Sequence, residues 1–356
     1  MAYLDANATE PLRPEARAAV LAALDLVGNP SSVHAAGRAA RRVLEDSRAR
    51  IAARFGAERD GVVFTSGGTE ADALALAALG AGRRIVIGAT EHDAIRAAAP
   101  GAAILPVDRE GVADLAGLDG LLAEGPALLC LMLANNETGT IQNLAEAAAI
   151  CRRHGALLHV DAVQAAGRIK VDLRALGADS VAVSSHKLGG PKGAGALLLA
   201  GGRAVRPLIA GGGQERGWRG GTPALPAIAG FAAAAECQAP DLSGLRDAAE
   251  RAAVEAGAVV LGGPLRLGNT TCLALPGVRA ETQVIALDLA GVQVSAGAAC
   301  SSGKVSRSHV LEAMGLGALA GEAIRVSLPW SASEADVLAF ARAYREMAAR
   351  LGKRAA

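Results

Sequence analysis

From about residue 36 to about residue 240, apolar runs of strand length alternate with stretches of helical period, and this alternation confines the chain to one kind of architecture. Strands separated by helix-length segments read as a mainly parallel sheet covered by helices. Seven runs have strand character: 62–65, 84–89, 103–107, 127–133, 156–160, 180–184 and 195–199. Helical stretches between them include 38–54, 70–79 and 145–153. After Glu236 the pattern changes. A helix is expected over 241–256, short strands over 259–261, 271–274, 293–295 and 323–328, and a long amphipathic helix over 334–351. The expected fold class is α/β, with a large domain built on a mainly parallel seven-stranded sheet, a boundary near Ala239-Pro240, and a smaller α/β C-terminal domain.

Composition removes several classes of function. The net charge of +1 argues for neither nucleic acid nor an anionic membrane as a partner. No apolar run approaches the length of a membrane span, and the start Met1-Ala2-Tyr3-Leu4-Asp5 lacks the basic and apolar regions of a signal peptide, so a cytoplasmic location is expected. The five cysteines (Cys130, Cys151, Cys237, Cys272 and Cys300) form no close pair and no zinc-type spacing, so neither a disulfide framework nor a structural metal site is expected. Aromatic residues make up 2% of the chain while mean hydropathy is +0.30, so the core must be aliphatic and few residues can stack on a flat ring.

Against that background one residue stands out. Lys187 lies in Ser184-Ser185-His186-Lys187-Leu188-Gly189-Gly190, at the end of the 180–184 run, and it is one of only five lysines among 36 basic residues. An arginine-using chain has kept an amine where an ionisable nucleophile is useful, a role arginine cannot fill. The neighbouring run 156–160 ends at Asp161, with Gln164 three residues on. A lysine and an aspartate at strand ends are what pyridoxal phosphate (PLP) needs: an amine for the Schiff base and a carboxylate to keep the pyridine nitrogen protonated.

Other motifs gain meaning from that pair. The run 62–65 leads through Ser66-Gly67-Gly68-Thr69-Glu70 into a helix, and amides at such a helix start, with the Thr69 hydroxyl, can hold a phosphate. It is neither a Walker loop nor a dinucleotide fingerprint. Gly68, Thr69, Ser184 and His186 together make a plausible phosphate site. His92 follows the 84–89 run and is either a catalytic histidine that stacks on the ring and could also move protons or a satisfied helix-start residue. Asn135-Asn136-Glu137 ends the 127–133 run and suits recognition of a ring hydroxyl or a substrate carboxylate, or an ordinary turn. Cys300 sits among small residues with Lys304 nearby, the setting of a reactive thiol, whereas the other four cysteines read as packing.

These motifs together resemble the cysteine desulfurases of the NifS/IscS type, in the class V branch of the fold-type I PLP-dependent transferases. The resemblance runs through TSGGTEAD (65–72), ANNETG (134–139), HVDAVQ (159–164), SSHKLGGPKG (184–193), GGGQERGWRGGT (211–222) and ACSSGK (299–304). It implies Lys187 as Schiff base, Asp161 on the ring nitrogen, Gln164 on the ring oxygen, His92 stacking, and Gly68, Thr69, Ser184 and His186 on the phosphate. Thr222 would reach the phosphate from the other subunit of a homodimer. Asn136 would touch the cofactor and substrate, while Arg325 and Asn7 would bind the substrate carboxylate. It also implies a large PLP-binding domain over 15–239 and a small domain, 1–14 with 240–356, that carries the cysteine loop. The chain departs from the family pattern at Glu10, Ala73, Ala296, Ala298 and Pro329.

The function so implied is that of a PLP-dependent cysteine desulfurase, a sulfurtransferase that takes sulfur from L-cysteine, releases L-alanine and leaves a persulfide on Cys300. The persulfide would pass to a sulfur-acceptor protein, an iron–sulfur scaffold or sulfur carrier, for iron–sulfur cluster assembly or for another sulfur-containing cofactor or tRNA. Cys300 could also ligate a cluster transiently. The alternatives are a selenocysteine lyase or another class V lyase or aminotransferase, and, outside the enzymes, a PLP-binding partner protein that has lost turnover.

Overall fold

The computed structural model describes residues 1–201, 205–297 and 307–351. After a short first strand, β1 (Ala2–Tyr3), seven strands form the central sheet: β2 (Val62–Thr65), β3 (Arg84–Gly88), β4 (Ala103–Leu105), β5 (Ala127–Cys130), β6 (Leu157–Asp161), β7 (Ser180–Ser184) and β8 (Gly195–Leu199). Their order is β2-β8-β7-β6-β5-β3-β4. All run parallel except β8, which lies antiparallel between β2 and β7. Strands β2, β5, β6, β7 and β8 are buried at every position, because helices cover both faces of the sheet. That is why they read as unbroken apolar runs rather than alternating ones.

The helices Ala35–Arg54, Gly68–Leu79 and Leu144–His154 lie where the sequence places them, one to three residues longer at their starts. The helix Leu225–Glu236 packs against Pro14–Leu24 and Ala35–Arg54 and is buried along almost its whole surface, so it carries no polar stripe that would betray a helical period.

The remaining strands are β9 (Val259–Leu261), β10 (Thr270–Ala274), β11 (Val292–Gln293), β12 (Ser295–Ala296) and β13 (Ala323–Ser327). Four of them form an antiparallel sheet in the order β12-β13-β10-β9. The single strand expected over 293–295 is in fact two. β11 pairs in parallel with β1, β12 pairs with β13, and the chain changes partner at Val294. The strand expected over 127–133 ends at Cys130, although Leu131 and Leu133 still donate main-chain bonds to His159 and Asp161.

The buried apolar side chains fall into two main clusters. One lies around the central sheet and the other joins Ala2 and Leu4 to Leu273, Ile324, Val326, Phe340 and Tyr344. With so few aromatics, the Phe340–Tyr344 contact (ring centroids 5.4 Å apart) is the only ring–ring pair among the described residues. No helix of the described residues is long and apolar enough to cross a membrane.

Parallel strands deliver their carboxyl ends to one edge of a sheet, where an α/β fold leaves a crevice. Here that edge collects Thr65, Asp161 and Ser184. The first residue of β8 meets them there, Gly195 pairing with both Thr65 and Ser184. A side chain on Gly195 would sit 2.8 Å from the Gly67 Cα, so glycine lets the turn after β2 close against the sheet.

Candidate active site

A cavity of about 210 Å³ opens at this edge. It is lined by Gly68, Thr69, His92, Asn136, Asp161, Gln164, Ser184, His186 and Lys187, every expected cofactor contact except Thr222. Asp72, Ala94, Met132, Ala134 and Val163 complete the wall. A second cavity shares Gly68, Thr69, Ser184 and His186 and extends along the start of the helix Gly68–Leu79.

On that side the wall is built for an anion. The helix start points unpaired amides outward. A Cβ on Gly68 would lie 2.6 Å from the Val163 Cγ2, so the turn has no room for a side chain. Ser184 Oγ is buried and has no hydrogen-bond partner among the described residues, a cost that a phosphate oxygen would relieve. The His186 pKa is pushed down to about 4 by burial and then by Lys187, while its Nδ1 lies 3.2 Å from the Thr9 hydroxyl. At neutral pH it is an uncharged donor or acceptor beside the anion site.

At the other side sits a buried carboxylate. Asp161 is 7% exposed, and its Oδ1 accepts the Val163 N–H at 2.8 Å. Burial, and secondarily the neighbouring Asp72, raise its pKa to about 7. Asp72 is raised to about 7 as well, chiefly by burial, and its Oδ1 lies 3.2 Å from Nε2 of the fully buried His159. Glu91, also buried, is pushed well above the usual carboxylate range by burial, with Asp161 and Asp72 adding to the shift. A protonated pyridine nitrogen is the partner that such a carboxylate lacks. Asp72 and Glu91, which belong to this electrostatic group, escape the sequence analysis; the only hint is that Asp72 lies three residues after Thr69 and Glu91 just before His92.

Lys187 follows β7 in a short 3-10 turn, Ser185–Lys187, and its Nζ donates to the Asn7 carbonyl at 2.5 Å. The Gln164 Nε2 donates to the same carbonyl at 3.0 Å. His92 caps the helix Asp93–Ala98, its Nδ1 accepting the Ala94 N–H at 3.1 Å, and it also lines the cavity. His34, by contrast, only caps the helix Ala35–Arg54.

Other expected contacts are tied to neighbouring groups of the chain. The Asn7 side chain is bonded to the Asn136 carbonyl and the Thr270 hydroxyl, each at 3.0 Å, so Asn7 meets the site through its main chain. Arg325, 3% exposed, is held by Asp5 Oδ1 at 2.7 Å and by the carbonyl of the cavity residue Asn136 at 3.1 Å, and does not itself line the cavity. Of Asn135-Asn136-Glu137, only Asn136 reaches the cavity. Asn135 Oδ1 closes the turn by accepting the Glu137 and Thr138 amides at 2.8 and 3.0 Å, and buried Glu137 accepts the Ser308 hydroxyl at 2.5 Å. Thr222 is exposed on this chain, in the stretch 211–222 that Arg219 ties to Glu70 at 2.8 Å.

Cys300, Ala298 and Lys304 fall outside the described residues. The other cysteines are poor nucleophiles. Burial pushes the Cys130 thiol well up, the Cys151 thiol to about 12 and the Cys272 thiol higher still, and it raises Cys237 too.

The sequence matches the aminotransferase class-V family over residues 2–340. It is 43% identical to a cysteine desulfurase of Cereibacter sphaeroides, the match covering 94% of this chain and 92% of the relative. It is 38% identical to an IscS-like cysteine desulfurase of Mycobacterium tuberculosis, over 95% of this chain and 93% of that one. The fold superimposes on the crystal structure of a NifS-like protein from Rickettsia africae with a TM-score of 0.91 and 34% identity, covering 98% of this chain and 99% of that one.

Proposed function

The chain belongs to the cysteine desulfurases of the class-V aminotransferase family, fold-type I enzymes dependent on PLP, and we propose that it carries out sulfur removal from L-cysteine with the residues gathered at the 210 Å³ cavity and with Cys300 as first sulfur acceptor. The observation that carries this reading is the convergence of the Lys187 amine, the buried Asp161 carboxylate and the unbonded Ser184 hydroxyl on one cavity.

Bound there, PLP supplies a carbonyl that condenses with amines and a ring that accepts electron density from the bonds at the substrate's Cα. Lys187 would hold the cofactor covalently. Released by the substrate's amine, it is the base that takes the Cα proton. Asp161 would be ionised beside the ring nitrogen and would keep that nitrogen protonated. Gly68, Thr69, Ser184 and His186 would hold the phosphate, and His92 would stack on the ring. Its Nδ1 is committed to the Ala94 N–H, so Nε2 carries the ring's proton. Arg325, bonded to the carbonyl of the cavity residue Asn136, would exchange its Asp5 contact for the substrate carboxylate and orient it together with Asn136. The Cys300 thiolate then bonds to the substrate's sulfur as the Cβ–S bond breaks. The electron pair returns to carbon, a proton completes L-alanine, and Cys300 keeps the sulfur as a persulfide.

We assign residues 15–239 to the cofactor-binding domain and 1–14 with 240–356 to the domain carrying Cys300, a division supported by the two apolar cores. The working form is a cytoplasmic homodimer in which Thr222 completes the partner's phosphate site, supported by its exposure next to the Arg219–Glu70 pair. The acceptor is a sulfur-carrying or iron–sulfur scaffold protein. Incubating the purified protein with L-cysteine and measuring alanine and sulfide tests the reading. Release of both in the presence of a reductant is expected; turnover of selenocysteine alone would assign a selenocysteine lyase instead.

A further inference from the structure

Arg168 follows Gln164 by four residues, and its side chain is buried near that of Gln164, although neither belongs to the apolar core. Its Nη1 donates to the Gln164 main-chain oxygen at 2.9 Å and also to the Gln164 side-chain oxygen Oε1. Its Nη2 donates to the Ala6 carbonyl at 3.3 Å and lies 3.5 Å from Glu10 Oε1. Both side chains of that ion pair are buried, at 7% and 6% exposure, and Glu10 Oε2 in turn accepts the Trp330 N–H at 3.2 Å. Glu10 stands where the family usually has threonine.

These contacts leave one orientation for the Gln164 amide. A guanidinium only donates and a main-chain carbonyl only accepts. Oε1 must therefore face Arg168, and Nε2 must face the Asn7 carbonyl, which it meets at 3.0 Å. The second Nε2 hydrogen is the one polar group of the amide left for the cavity that Gln164 lines. The cationic contact on Oε1 also polarises the amide and strengthens that donor. The charged and titratable groups around it are Arg168 and Glu10 and, on the cavity wall, Asp72, His92, Asp161, His186 and Lys187, with Arg325 also acting on Arg168.

We propose that Arg168 is a positioning residue for the cofactor's ring oxygen: it locks the Gln164 amide as a donor toward that oxygen, and Glu10 holds Arg168 in place. This rests on the reading that the cavity takes PLP. A donor directed at the oxygen favours its deprotonated form, so losing the donor lets the bound cofactor hold its proton to higher pH.

The test is the pH titration of the visible band of the holoenzyme without substrate, together with PLP affinity of the apoprotein. Arg168→Met should raise the titration midpoint by about one pH unit, tenfold in the proton equilibrium, and weaken PLP binding by roughly tenfold. Arg168→Lys, which still only donates, should stay close to wild type. Arg168→Met leaves Glu10 buried and unpaired. Should it fail to fold, Glu10→Gln/Arg168→Met removes both charges, keeps an acceptor for Trp330, and should show the same shift. A folded variant of either kind with a wild-type midpoint overturns the assignment, since loss of stability alone does not leave the cofactor's titration in place. A wild-type protein with no visible band when loaded with PLP overturns the cofactor reading beneath it.

Discussion

The main-chain carbonyl of Asn7 lies 2.5 Å from the Nζ of Lys187, across 180 residues of sequence. Asn7 is itself fixed from the other side: its N–H donates to the Ser327 hydroxyl at 3.0 Å, and its side chain bonds Thr270 and the Asn136 carbonyl. Lys187 at the central sheet is thus referenced to β10 and β13 through a single residue of the amino-terminal segment. Asn7→Ala should act mainly on stability. It strips buried partners from Thr270 and the Asn136 carbonyl, at about 1–3 kcal/mol. Urea unfolding of the apoprotein should show that loss. A large rise in KM for L-cysteine with an unchanged unfolding midpoint would instead make the Asn7 side chain a direct substrate contact.

Lys187→Ala should keep some PLP through the phosphate contacts but lose its covalent attachment. Borohydride reduction followed by peptide mass mapping reads this directly. Wild type should carry the cofactor on the peptide containing Lys187, and the variant should carry none. Cofactor mass on Lys170 or Lys192 would contradict the site.

Asp161→Asn should still attach PLP yet lose most turnover, because an amide cannot keep the ring nitrogen protonated. It also has a signature without cofactor. Folding raises the Asp161 pKa from 3.8 to about 7, so between those values the folded apoprotein binds more protons than the unfolded chain. Asp161 therefore favours folding fully below pH 3.8, and that contribution is lost as pH rises through about 7. His186, lowered from 6.5 to about 4, works in the opposite direction over part of the same range. The comparison with the variant isolates Asp161: between pH 4 and 7, wild-type apoprotein should lose stability relative to Asp161→Asn, read as urea midpoints. Parallel stability profiles would mean that the carboxylate is not buried as described.

Co-expression of Lys187→Ala and Thr222→Ala chains tests the shared site. If Thr222 serves the partner's phosphate, each heterodimer has one site with both defects and one with neither, so activity exceeds that of either parent homodimer. Activity that follows each chain independently would place Thr222 outside the phosphate pocket.

Much of this was legible in short stretches of sequence. The strands 62–65, 180–184 and 195–199 stand at their expected bounds, because a strand buried on both faces leaves a sharp apolar run between turns. The cavity residues Lys187, Asp161, Ser184 and Thr69 were legible for a related reason: Asp161 and Ser184 close strands, Thr69 opens a helix and Lys187 lies in the turn after β7, and the parallel topology brings those ends together. What escaped were features set by distant partners. Nothing near Val294 announces that β11 and β12 join different sheets, and nothing near Glu137 says that its carboxylate turns to Ser308 rather than to the cavity. Glu10 and Arg168 are separated by most of the central sheet in sequence and meet only in the folded chain.

The central claim is that sulfur leaves L-cysteine for Cys300. Mass spectrometry of the protein after brief exposure to L-cysteine, without reductant, tests it most directly. Wild type should gain one sulfur atom on the peptide containing Cys300. Cys300→Ser should retain the cofactor's visible band yet yield neither the adduct nor alanine, because a hydroxyl is a far poorer nucleophile toward sulfur than a thiolate. The added sulfur on Cys130, Cys151, Cys237 or Cys272, or full alanine production by Cys300→Ser, would contradict the account.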